Sequence, residues 1–205
     1  MKHNTMLPQA LLLSLLLFCG KTSLAQRFAD CDSAYWVGTT YAIRFSGSVG
    51  IGANTTEADR TPCFMNGLQQ GQAEANSIWL RFNIDRSGTL QFTITPDSLT
   101  DDFDFVLYQL PADGNCEKKE IVRCMAAGTT FQTSQSPCMG MTGLREKSKD
   151  KEEDAGCSDI GDDAWLAALK VVSGERYVLL VSNTTTAYQG FSILFKGDFT
   201  FKENQ

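Results

Sequence analysis

The chain has 205 residues, 18 basic and 24 acidic, for a net charge of −6. Its single histidine is His3, inside a cleavable leader, so the exported chain has no imidazole for a Ser-His-Asp or Cys-His nucleophile or for His-ligated zinc. No basic patch stands out, which argues against a nucleic-acid partner.

Lys2, the apolar run Leu11–Phe18 and the small-residue ending Ser23-Leu24-Ala25 read as a secretory signal peptide over residues 1–25, cut before Gln26. A membrane anchor would need roughly 18–20 apolar residues, and Gly20-Lys21 interrupts too early. Cys19 offers lipidation as an alternative, against which the bulky Phe18 stands. Without Lys2 and Lys21, residues 26–205 carry 16 basic and 24 acidic residues, a net −8. That length suits one domain with a full core, and no second apolar span follows.

Period-two alternation dominates from there on. Tyr41, Ile43 and Phe45 mark a first strand, followed by a Gly-, Asn- and Thr-rich loop from Gly47 to Gln72. Ile78, Leu80, Phe82 and Ile84 alternate with polar or aromatic residues, as do Leu90, Phe92 and Ile94. The turn Asp85-Arg86-Ser87-Gly88 between them predicts a hairpin. Phe103–Tyr108 and Ile121–Met125 are further strands, and Gly128 to Asp163 is a second long, charged loop. Trp165–Val172, Arg176–Ser182, Phe191–Phe195 and Phe199–Phe201 complete the set, separated by Gly-containing turns. Eight or nine short strands with long loops predict an all-β fold, an antiparallel β-sandwich of jelly-roll type.

Six cysteines remain after the leader: Cys31, Cys63, Cys116, Cys124, Cys138 and Cys157. In an exported chain they read as up to three disulfides. Pairing by proximity gives Cys116–Cys124, Cys138–Cys157 and Cys31–Cys63, one of 15 connectivities for six cysteines. No CxxC pair favours zinc.

Asp101, Asp102 and Asp104 crowd the start of an apolar strand. Asp102 and Asp104 share one face of that strand, a half-site for Ca²⁺, which takes six to eight oxygen ligands. Glu152, Glu153, Asp154, Asp159, Asp162 and Asp163 could supply more oxygens. The competing expectation, slightly ahead, is a solvated loop edge whose charge guards against aggregation. A carboxylate pair across a cleft would instead suit a glycosidase or lyase. Tyr35, Trp36, Trp79 and Trp165 could stack on sugars, although core packing is the expectation for Trp79 and Trp165. Asn54-Thr55-Thr56 and Asn183-Thr184-Thr185 match the N-glycosylation pattern.

The ordered set Thr61-Pro62-Cys63, Asn76–Phe82, Gly88-Thr89-Leu90, Asp101–Phe105 with Leu107-Tyr108, Arg123-Cys124, Gly143-Leu144, Glu153–Cys157, Gly174–Val181 and Gly190-Phe191 resembles a known family. It is a β-sandwich domain common in secreted Bacteroidetes proteins linked to gliding motility or type IX secretion. More distantly, the chain is similar to pre-peptidase C-terminal and CUB-like modules. The resemblance covers nearly all of residues 26–205 and implies a non-catalytic extracellular module for adhesion or presentation. It also implies Ca²⁺ as a cofactor candidate, with Asp102 and Asp104 as ligands. Nothing resembling the family's C-terminal sorting domain follows Phe201, which favours a periplasmic or outer-membrane-associated accessory. The leading expectation is thus a binding module of the cell envelope that contacts protein or glycan. A carboxylate-dependent glycosidase and a structural subunit of an envelope secretion or motility complex are the alternatives.

Overall fold

The structure, a computed structural model, describes residues 27–46, 50, 52–59, 61–65, 74, 76–128, 138–157, 161–184 and 190–203. The signal peptide with His3 and Cys19, as well as Asp159 and Thr185, lie outside the described residues. Among the described residues the strands are β1 (Tyr35–Trp36), β2 (Ala42–Phe45), β3 (Ser77–Arg86), β4 (Gly88–Pro96), β5 (Phe103–Leu110), β6 (Glu120–Ala127) and β7 (Thr142–Arg145). Then come β8 (Glu152–Gly156), β9 (Trp165–Ala167), β10 (Leu169–Val171), β11 (Arg176–Asn183), β12 (Phe191–Gly197) and β13 (Thr200–Phe201). One short α-helix, α1 (Pro62–Met65), and a 3-10 turn at Cys31–Ser33 precede β3.

These strands form two sheets. The first runs β1-β3-β11-β5-β6-β8, with β13 also on β3; the second runs β2-β12-β4-β7-β9, with β10 also on β4. Between them Leu80, Phe82, Phe105, Leu107, Leu179 and Val181 meet Leu90, Phe92, Ile94, Ile193 and Phe195 in one core. The fold is therefore an all-β sandwich, as expected, but three neighbouring pairs, β1/β3, β6/β8 and β7/β9, are parallel. Strict antiparallel pairing is thus corrected to two mixed sheets.

Three further expectations change. The hairpin over Asp85–Gly88 does not form: β3 pairs with β11, while β4 pairs with β12 and β7. Alternation looks the same in a hairpin and in a chain that turns a corner between sheets, so the pattern could not separate the two. Here the corner is held by Asp198, whose Oδ1 accepts the Thr89 N–H at 2.6 Å. The charged loop from Gly128 to Asp163 contains β7 and β8, the latter hidden because Glu-Glu-Asp reads as a solvated run. Trp165–Val172 is extended, as read, but splits at Ala168 into β9 and β10.

The disulfides are Cys31–Cys116, Cys63–Cys124 and Cys138–Cys157. Only the last matches the proximity pairing. Cys124 lies four residues into β6, about 13 Å of extended strand from its start. Cys116, in the turn before that strand, closes on Cys31, and Cys124, within it, on Cys63. Both long-range bridges instead fasten a cover over the outward face of the first sheet. Cys31, Ala58, Cys63, Phe64 and Cys116 from the cover pack on Trp79, Val106, Tyr108, Val178 and Leu180 in a second apolar cluster.

Candidate functional site

The end of the first sheet gathers the aspartates. Asp104 pairs opposite Ser182, and Phe103 opposite Asn183. Asp101, Asp102 and Asp104 are 0, 8 and 5% exposed, so the solvated-edge expectation is overturned. Asn183 donates its amide to Asp101 Oδ2 at 3.4 Å, and Thr184 N–H donates to the Asp102 carbonyl at 3.0 Å. The Asp102 carboxylate lies on the α-carbon of Gly128, where any side chain would collide with it: a β-carbon would sit 1.9 Å from Oδ2. Burial pushes the Asp104 carboxyl well above the usual range, and the neighbouring charge of Asp102 adds to this. Asp104 Oδ1 is buried without a hydrogen-bond partner. The arrangement can retain a proton or accept a cation. Among the described residues, however, no three His, Cys, Asp or Glu side chains are placed to hold a metal ion.

The acids of the later segment do not join this corner. Glu153 on β8 is in parallel register with Met125 and is 9% exposed, while Glu152 and Asp154 are exposed. Burial, the charges of Asp162, Asp150 and Asp163 and a hydrogen bond with Asp162 push its carboxyl up to about 7. Asp163 also binds Arg145 at 2.6 Å. The charge that adds to the burial of Asp104 is that of Asp102, and among the described residues no later acid joins the two in a metal-holding group.

A third group, missed in the sequence, lies under the cover. Glu74, fully buried, accepts the Ala58 N–H at 3.2 Å, and Glu57 accepts the Cys31 N–H at 3.1 Å. Burial pushes Glu74 up to about 7, opposed by that Ala58 bond and assisted by the charge of Glu57. Tyr108 OH shares a 2.8 Å hydrogen bond with Thr61. The Lys119 ammonium lies 5.6 Å from the Trp79 ring and 5.4 Å from that of Tyr108. The Thr61–Tyr108 bond ties the cover to the sheet, the acids cap backbone N–H groups within the cover, and the aromatics fill the space beneath.

The outward face of the second sheet is different. Leu90, Phe92 and Ile94 point inward, leaving Gln91, Thr93 and Thr95 outside. One row crosses five strands through Ala42, Leu194, Thr93, Gly143 and Trp165. Ala42, Arg44, Leu194, Lys196 and Lys170 are exposed. Trp165 is partly exposed and lies outside both apolar clusters, which corrects the core role expected for it; Leu166 fills the core instead. The Arg145 guanidinium sits 5.1 Å from the Trp165 ring centroid. Gly143 has φ +148°, and a β-carbon there would lie 2.1 Å from the Phe92 carbonyl. Gly143 is itself buried, and this close backbone approach between Thr93 and Trp165 requires a glycine. Trp79 is fully buried, as expected, and Tyr35 packs at the core edge against Phe28 and Phe45. Of the glycosylation patterns, Asn54 is exposed but Asn183 is buried in the aspartate corner.

With fold and sites in view, the class is a disulfide-braced β-sandwich. Three disulfides belong to an oxidising compartment, extracellular or periplasmic. Among the described residues no helix is long and apolar enough to cross a membrane. No family model matches the chain, and no curated protein matches it.

Proposed function

We propose that this chain is an exported, non-catalytic binding module of the cell envelope that contacts protein or glycan. The observation that carries the reading is the outward face of the second sheet, where Ala42, Arg44, Leu194, Lys196 and Lys170 are exposed and a tryptophan partly so, opposite a face closed by two disulfides. The carboxylates a glycosidase would need at its substrate, Asp102 and Asp104, are instead buried, which supports binding over turnover. The unpartnered Asp104 oxygen supports a cation at that corner. Melting in Ca²⁺ and then in EDTA tests it, because a ligand held only by the folded state raises the midpoint; equal midpoints remove calcium from the reading.

The main test is sedimentation of the purified exported chain with washed bacterial envelopes, with soluble sugar measured in the supernatant. Co-sedimentation without sugar release is the expected result. Release of sugar that Asp104→Asn abolishes would replace this reading with the glycosidase.

A further inference from the structure

The strands of the second sheet contain four charged residues, Arg44, Arg145, Lys170 and Lys196, and all four are cations. All lie on the outward face, since their neighbours Ile43, Leu144, Val171 and Phe195 are in the core. This is a local excess in a chain with 24 acidic and 18 basic residues. Among the described residues the carboxylates near these cations stand at the rim, where Asp97 meets Arg44 at 2.8 Å, Asp163 meets Arg145 at 2.6 Å, and Asp198, on the Thr89 N–H, feels the charge of Lys170. An exposed pair holds its members weakly, so the Arg44 guanidinium remains available to an external anion, whereas Arg145 also donates to Ser148 at 2.8 Å and lies over Trp165.

We infer that this face binds an anionic polysaccharide, laid across the strands from β2 to β9. The inference rests on the binding-module reading and names its partner. Five strands span about 19 Å, enough for several sugar units. Between the cations stand hydrogen-bonding side chains, Gln91, Thr93, Thr95 and Ser192, suited to hydroxyl groups, and Trp165, in register with Gly143, offers a partly exposed indole. Protein interfaces select against Lys and Ser and for several aromatic anchors, and single-stranded nucleic acid wants a series of stacking rings. One tryptophan fits a sugar chain better than either.

Affinity electrophoresis of the full exported chain, disulfides intact, in gels containing alginate tests the inference, with neutral dextran, poly-glutamate and single-stranded DNA as comparisons. Retardation by alginate, lost in high salt and absent in dextran, is the expected result. The exposed triple variant Arg44→Glu, Lys170→Glu, Lys196→Glu is expected to lose at least about tenfold in affinity with an unchanged melting midpoint. Lys118→Glu with Lys202→Glu, both away from the face, should retain the wild-type mobility. Absence of alginate retardation, equal losses in the two variants, or equal retardation by poly-glutamate or DNA would overturn it. A chain that sediments with envelopes yet ignores alginate defeats the polysaccharide assignment alone. A chain that sediments with no envelope defeats the binding-module reading itself.

Discussion

Trp79 and Trp165 both project from the sandwich away from the shared core, and they meet opposite environments. Trp79 is fully buried, roofed by the cover and stacked 5.8 Å from Tyr108. Trp165 has Arg145 over its ring and remains partly exposed. The difference lies in the chain around them. Cys31–Cys116 and Cys63–Cys124 fasten a layer over one sheet, and no such bridge serves the other. An outward aromatic is thus a structural element on one side and a partly exposed side chain on the other.

Breaking the bridges tests the comparison most severely. Closed loops of 85 and 61 residues contribute about 4 kcal/mol each in the chain-entropy treatment, against about 3 for the shorter Cys138–Cys157 loop. Their sum is comparable to the whole stability of an ordinary domain, about 5–15 kcal/mol. Full reduction should therefore abolish cooperative unfolding measured by near-UV circular dichroism. The Cys138→Ala, Cys157→Ala variant should still unfold cooperatively. The two tryptophans come next. Trp79→Ala should cost about 3–5 kcal/mol, as large-to-small changes in a core do, and Trp165→Ala under about 1 kcal/mol, as surface changes do. Urea denaturation distinguishes them; equal losses would mean that the second face is covered after all.

Acidity should act mainly through the buried carboxyls. Glu74 and Glu153 are held near 7 against an ordinary value of 4.5, and Asp104 is also raised. A carboxyl with a raised folded value binds its proton more tightly folded than unfolded. Its penalty is complete above about pH 7 and absent below about 4.5. The melting midpoint should rise by a few degrees as pH falls from 8 to 5. Glu74→Gln should raise the midpoint at pH 8 and leave it nearly unchanged at pH 5. A midpoint that falls over this range would mean that these acids are ionised and solvated.

Much of the comparison was written in the residues. Tyr177-Val178-Leu179-Leu180-Val181 is apolar without interruption, the pattern of a strand covered on both faces, and all five are buried. Leu90 to Thr95 alternates strictly, the pattern of a strand with one wet face, and Gln91, Thr93 and Thr95 are indeed outside. What could not be read was connection. Alternation fixes a face but not a neighbour, so Asp85–Gly88 looked like a hairpin and Cys124 looked close to Cys116. Nor could three aspartates reveal their burial, because what encloses them is remote in sequence: Asn183, Thr184 and the bare α-carbon of Gly128.

The smallest effect sharpens the contrast furthest. Arg44 and Asp97 form a 2.8 Å ion pair on the outward face of the second sheet, with Arg44 63% exposed. Water and salt screen such a pair, and its long side chain must be ordered to form it, so its contribution should be about 0–1 kcal/mol. A double-mutant cycle with Arg44→Ala and Asp97→Ala, measured by urea denaturation, should find a coupling in that range, smaller still in 1 M salt. The removal of Asp97 alone should leave stability almost unchanged while freeing the guanidinium. If the face serves contact, that variant should gain affinity for a polyanion as it loses its internal partner. A large coupling would instead place this pair among the structural elements, on the same footing as the groups beneath the cover.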